Sequence, residues 1–235
     1  MIFLFLKVIG IITTDIHKLA DLMTEFTTTG ALVEFAGGRQ SGKTLLLHIM
    51  CSINSLKNTK TCYVDNVGRF DPEFIFKYLE GTQTLKNNEI YAKMKLVSHA
   101  RAYEVGDLFS IIKKLWIMDY ACVVIDDLLT YYSYRQDRNA KEEIRNIIRE
   151  IALLALCKRV CIIFTNPFLV DSNNKFASRS TTHELRFNDI VRYIHFKAII
   201  SKGMHNMLEC EFVYPAKLEN MKLILFPRAS KKYRI

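Results

Sequence analysis

Residues 31–53 read ALVEFAGGRQSGKTLLLHIMCSI, and the centre of the stretch, Gly37-Gly38-Arg39-Gln40-Ser41-Gly42-Lys43-Thr44, satisfies the pattern G-x-x-x-x-G-K-S/T. By chance a chain of this length contains that pattern roughly one time in a hundred. The flanks carry the argument further. ALVEFAG before it has strand character, and LLLHIMCSI after it is continuously apolar, as a buried helix is. Strand, glycine-rich turn and helix in that order form a phosphate cradle. The glycines let the backbone wrap an anion, the N–H groups at the helix start supply positive potential, Lys43 reaches terminal phosphates and Thr44 holds Mg²⁺. A plain turn with an exposed lysine is the weaker reading, because it leaves the flanking pattern unexplained.

A phosphate loop of this kind needs a carboxylate at the end of a buried strand to orient the metal and its waters. Asp126, which closes ACVVI (121–125), has that setting. Asp127 is the lesser candidate, since one step further along a strand a side chain points to the opposite side of the pleat.

Further out, Thr61–Asp65 and Lys93–Ser98 read as strands, and Pro72 opens a helix where its missing N–H costs nothing. Gly106-Asp107 caps a helix running to about Met118. Ile144, Ile147, Ile148, Ile151 and Leu154 recur at helical spacing, and VCIIFT (160–165) is a buried strand. After it the alternation stops: 190–200, 207–213 and 222–226 are strands without intervening helices. The sum is an α/β fold, a mostly parallel sheet flanked by helices with an antiparallel C-terminal extension. No linker or repeat divides residues 1–235, so a single domain is expected.

The 33 Lys+Arg against 24 Asp+Glu give a net charge of +9, which favours polyanionic partners such as nucleic acid. The six cysteines lack the paired short spacings of a zinc site and read as reduced core thiols of an intracellular protein. The apolar run IFLFLKVIGII (2–12) is far shorter than the ~20 residues that span a bilayer. It has neither the basic start nor the cleavage site of a signal peptide. No membrane partner is expected. A buried strand over 1–12 is the first reading, and a docking segment for another chain the second.

Five fragments in order then resemble the RecA/RadA strand-exchange recombinase family. GGRQSGKT looks like the family's G-E-x-x-S/T-G-K-T, VDNVGRFDPE (64–73) like I-D-T-E-G-x-F-x-P-E, and HARAYE (99–104) like A-R-A-Y/F. VVIDDLLTYY resembles the metal-carboxylate strand, and IIFTNPF (162–168) resembles V-x-I-T-N-Q-V. The similarity runs from about Thr13 and matches the short paralogue branch that lacks the helical N-terminal domain. The resemblance implies a RecA-like P-loop ATPase core with ATP and Mg²⁺ as cofactors. Its nucleotide site would comprise Gly37, Gly38, Arg39, Gln40, Ser41, Gly42, Lys43, Thr44 and Asp126, with Thr44 and Asp126 at the metal.

Two departures bear on turnover. The family's water-activating Glu falls on Val67, and its γ-phosphate-sensing Gln falls on Pro167. Valine accepts no proton, and proline offers neither an amide side chain nor an N–H. Losing a positioned base costs about 10²–10⁴ in rate, roughly 3–5 kcal/mol of barrier. Asp65, Asp71 and Glu73 are the nearby carboxylates that could substitute; no catalytic residue is assigned.

In the resembling proteins two loops beyond the central strands grip DNA. Here they would contain Tyr134, Arg135 and Arg138 in the first, and Lys175, Arg179 and Arg186 in the second, with aromatics beside cations as single-strand binding uses them. The expected function is an ATP-binding recombinase paralogue. It would be an accessory subunit in homologous recombination and double-strand break repair, binding single-stranded DNA and related subunits in a heteromeric complex, with slow or no hydrolysis. Its place would be the nucleus of a eukaryote or the cytoplasm of an archaeon. The alternatives are an autonomous DNA-dependent ATPase catalysing strand exchange, and a P-loop kinase, which the strand-rich C-terminus argues against.

Overall fold

The computed structural model describes residues 18, 19, 21, 29–81, 85–132, 138–169, 183–184, 191–203, 208–215 and 222–225. The apolar 2–12 segment lies outside them. In chain order the elements are β1 (Ala31–Gly37), α1 (Lys43–Leu56), β2 (Thr61–Asp65), α2 (Pro72–Glu80), α3 (Asn87–Met94), β3 (Val97–Arg101), α4 (Val105–Leu115) and β4 (Cys122–Asp126). A 3-10 turn at Thr130–Tyr132 leads to α5 (Arg138–Lys158), β5 (Cys161–Leu169) and the two-residue β6 (His183–Glu184). Then come a second 3-10 turn (Val191–Tyr193), β7 (Phe196–Lys202), β8 (Leu208–Tyr214) and β9 (Lys222–Leu225).

The strands form one sheet in the order β3-β2-β4-β5-β1-β7-β8-β9, with β6 paired to the end of β5. The first six in that order run parallel, and β8 and β9 add antiparallel, as the loss of intervening helices after residue 165 predicts. Because both faces are covered, side chains alternate between two cores rather than between core and water. Val33, Phe35, Tyr63, Val124 and Ile163 face α1, whose residues 46–55 are all buried. Leu32, Val64, Val123, Ile125, Ile162 and Phe164 face α4 and the isoleucine stripe of α5. Each such Leu, Ile or Phe contributes about 1.5–3 kcal/mol by leaving water.

Several expectations shift by two to six residues. The strand expected at Lys93–Ser98 begins only at Val97, because α3 occupies 87–94; that helix buries only Ile90, so its sequence shows no apolar stripe. Glu104, not Gly106-Asp107, is the cap of α4, and Asp107 reaches back to accept from the N–H groups of Tyr103 and Glu104 at 2.9 and 3.2 Å. The strand expected from Ile190 starts at Phe196, after a 3-10 turn whose exit is fixed when His195 donates its N–H to the Leu32 carbonyl at 2.9 Å. Of the six cysteines, all free, Cys157 is exposed and the other five are buried. Among the described residues no helix is long and apolar enough to cross a membrane.

A charged contact lies buried within the sheet between β1 and β7. Glu34 of β1 and Lys197 of β7 are directly opposite in register and pair at 3.1 Å, both almost wholly buried, and Asn166 of β5 donates its amide to Glu34 at 2.9 Å. The pair ties the phosphate-loop strand to its two neighbours.

Candidate nucleotide site

The loop 37–44 leaves β1 and enters α1 through Gly42, whose φ of +96° is left-handed and disfavours any side chain. A Cβ there would also lie 2.1 Å from Leu208 Cδ2, so the first residue of β8 seals the loop from behind. Lys43 does not extend into solvent. Its ammonium donates to the carbonyls of Gly37 and Gly38, each at 2.8 Å, and burial lowers its pKa against the opposing pull of Asp127 and Asp126. Ser41 is buried beneath it, while Arg39 and Gln40 stand exposed at the rim.

Asp126 closes β4 two strands away, and β5 lies between. Thr44 donates its hydroxyl to Asp126 Oδ2 at 2.9 Å, Tyr63 donates to the same oxygen at 3.2 Å, and Thr165 of β5 donates to Oδ1 at 2.8 Å. Three hydroxyl donors fix the orientation of this fully buried carboxyl and aim it at the start of α1. These residues fit a triphosphate with Mg²⁺. Among the described residues, a half-buried ammonium is held by loop carbonyls and the Ser41 hydroxyl, and a Thr–Asp pair stands beside it.

The pleat argument that sets Asp127 aside ends at Asp126. Asp127 takes φ +57°, its N–H donating to Thr165 Oγ1 at 2.7 Å, and the inversion brings its carboxyl into the field of Lys43, Arg69 and Arg39. Burial first, and the neighbouring Asp126 second, push its pKa up to about 6.

Beyond β2 the turn 66–70 is organised by Asp65. Its Oδ1 accepts the N–H of Val67 at 3.1 Å, Gly68 at 2.6 Å and Arg69 at 3.1 Å; its Oδ2 accepts that of Phe70 at 3.2 Å. Arg101 pairs with the same carboxylate at 2.9 Å. Burial alone would raise the Asp65 pKa, but these N–H donors and the guanidinium bring it below its ordinary value. Gly68 at φ +77° lets the turn close. Asp65 is therefore committed to shaping the turn. Asp71 caps α2 through the Phe74 N–H at 3.0 Å, and Glu73 pairs with Lys77 on the exposed face of that helix. None of the three presents a free carboxylate where Val67 sits. His48 is a core residue: it stacks on Tyr63 at 5.2 Å and accepts the Asp71 N–H at 2.9 Å.

Pro167 stands in register with Gly37, directly beside the start of the loop. Past it, β5 continues to Leu169 and pairs antiparallel with β6, Phe168 with Glu184 and Leu169 with His183. Residues 170–182, between those two strands, lie outside the described set, and with them Lys175 and Arg179; Tyr134, Arg135 and Arg186 lie outside it too. Arg138 is the first residue of α5. Tyr131 and Tyr132, adjacent to the first loop, pack inward: Tyr132 is fully buried, and the Tyr131 hydroxyl donates to the Ala102 carbonyl at 2.8 Å.

Comparison with known proteins agrees with this geometry. The Rad51 family model matches residues 6–185. RadB, a DNA repair and recombination protein of Thermococcus kodakarensis, is 26% identical over 186 residues, covering 77% of this chain and 82% of its own. A meiotic recombination protein DMC1 homolog of Arabidopsis thaliana is 26% identical over 177 residues, 68% of this chain and 50% of its own. The maize DNA repair protein RAD51 homolog B is 26% identical over 188 residues, 71% of this chain and 53% of its own. The chain thus spans about half the length of the two plant relatives. A crystal structure of the RadB recombinase shares the fold at TM-score 0.67 and 19% identity, over 84% of this chain and 87% of that one. With the phosphate loop, the Asp126 strand and the sheet order all in place, the chain belongs to the Rad51 family of DNA repair and recombination proteins.

Proposed function

We propose that this protein binds Mg·ATP and acts as an accessory recombinase paralogue in homologous recombination, holding nucleotide as a structural signal and turning it over slowly. The observation that carries this reading is the contrast within one site. Thr44 and Asp126 are joined at 2.9 Å beside Lys43, while the positions that would activate water and sense the terminal phosphate are Val67 and Pro167. Nucleotide would be held by Lys43, Thr44 and Asp126, with the exposed Arg39 and Gln40 at the rim. Its partners would be single-stranded DNA and related family subunits, in the nucleus if the source is eukaryotic.

Fluorescence titration with a labelled ATP, with and without Mg²⁺, tests the binding half of the reading; phosphate release with and without single-stranded DNA tests the turnover half. Micromolar Mg-dependent binding with turnover far below a competent ATPase is expected. Fast DNA-stimulated turnover abolished by Lys43→Ala would instead establish the autonomous ATPase.

A further inference from the structure

Asp65 and Asp126 are opposite one another in the β2–β4 ladder, so the residues that follow them, Asn66 and Asp127, leave the paired strand ends side by side. They touch: Asn66 Nδ2 donates to the Asp127 carbonyl at 3.3 Å. That contact also fixes the amide, since the flipped rotamer would set oxygen against oxygen. The Asn66 acceptor atom therefore points away from it. Asn66 is 5% exposed, and neither its Oδ1 nor Asp127 Oδ1 finds a donor among the described residues. A buried acceptor without a donor is costly, so two neighbouring ones call for a ligand that donates twice. Asp126, the residue before Asp127, accepts the Thr44 hydroxyl at 2.9 Å, so the place lies beside the phosphate loop.

We propose that Asn66 Oδ1 and Asp127 Oδ1 together hold one water molecule at the terminal-phosphate end of the site, standing in for the carboxylate absent at Val67. The inference rests on the nucleotide-binding reading and deepens it. Two acceptors orient both hydrogens of the water and leave its lone pair free. The water oxygen bonds to the terminal phosphorus as the bond from that phosphorus to the bridging oxygen breaks. The bridging electron pair leaves with ADP; one proton stays on the attacking oxygen, and the other leaves its hydrogen bond and passes to a phosphate oxygen, giving ADP and inorganic phosphate. Asn66 and Asp127 act as positioning residues and supply orientation, which makes the turnover slow but present.

The test uses the full chain and fluorescent ADP in the presence of Mg²⁺ and aluminium fluoride, whose planar complex with ADP retains a water on its axis. Wild type is expected to hold ADP with aluminium fluoride at least about tenfold more tightly than ADP alone. Asn66→Ala and Asp127→Ala should each abolish that gain, read within each variant as the ratio of its affinities for ADP with and without aluminium fluoride. The isosteric Asp127→Asn, which keeps an acceptor and the fold, should retain part of it. A gain unchanged in both alanine variants, or no gain in wild type that nonetheless binds ATP, overturns the inference alone. Wild type that binds no ATP overturns it together with the reading on which it rests.

Discussion

Thr44 and Asp126, 82 positions apart in the chain, meet hydroxyl to carboxylate at 2.9 Å, and that bond joins the first turn of α1 to the end of β4 across the intervening strand. Neither residue is placed by its own element alone; Thr165 and Tyr63 complete the carboxylate's set of donors. Thr44→Ala should leave the fold intact and remove most of the Mg²⁺ dependence of ATP binding, a loss of about tenfold or more, or ~1.4 kcal/mol. Titration with labelled ATP at fixed and zero Mg²⁺ reads it directly. Equal Mg²⁺ dependence in the variant would remove Thr44 from the metal site.

Val67→Glu should raise hydrolysis by about 10²–10⁴ if the turn shaped by Asp65 still presents that position as the family does. Phosphate release under single-turnover conditions checks it. An unchanged rate would mean that Pro167, in register with Gly37, or the turn itself withholds a second requirement.

Asp65→Ala should cost about 2–4 kcal/mol, because four backbone N–H groups and Arg101 lose their acceptor together. The folded carboxyl titrates below its ordinary value, so its contribution is complete above the unfolded pKa of about 3.9 and disappears as the pH falls through the folded one. Urea denaturation at neutral pH and at successively lower pH should therefore show the gap between wild type and variant close only in strongly acidic buffer. A gap that closes between pH 6 and 8 would assign the effect to another group.

Lys197→Ala should destabilise the chain by about 3–5 kcal/mol, since it strands the Glu34 carboxylate inside the sheet. Replacing both, as Glu34→Gln with Lys197→Met, should recover a large part of that loss. Midpoints of thermal unfolding for the single and double variants decide the matter; additive losses would show that the two charges are not coupled.

If the second loop binds single-stranded DNA, the logarithm of the binding constant should fall linearly with the logarithm of salt concentration. Each of Lys175→Ala, Arg179→Ala and Arg186→Ala should shallow that slope by about 0.7. Fluorescence anisotropy with an oligothymidine at several salt concentrations measures it. An unaltered slope in the triple variant would place DNA contact elsewhere.

What could be read from the chain alone was what local chemistry imposes. Glycines that let the backbone wrap an anion, a lysine at the helix start and a hydroxyl one step later are short-range requirements of a phosphate loop, and the fully apolar runs before Asp126 and Thr165 announce strands buried on both faces. Val67 and Pro167 were legible through the resemblance, which sets them where the family keeps a Glu and a Gln; a side chain without a polar atom is inert wherever it lies. Three features came only with the tertiary structure. The Glu34–Lys197 pair exists because strand register sets two residues opposite each other that are 163 positions apart, and no local pattern marks it. Asp65 proved to be the keystone of the 66–70 turn because the chain folds back over its own carboxylate. Asp127, which strand alternation would turn away from the site, faces it because Thr165 holds its N–H and locks a positive φ at the strand end. Alternation is a property of extended backbone; one residue past the last ladder bond, the neighbouring strand takes over.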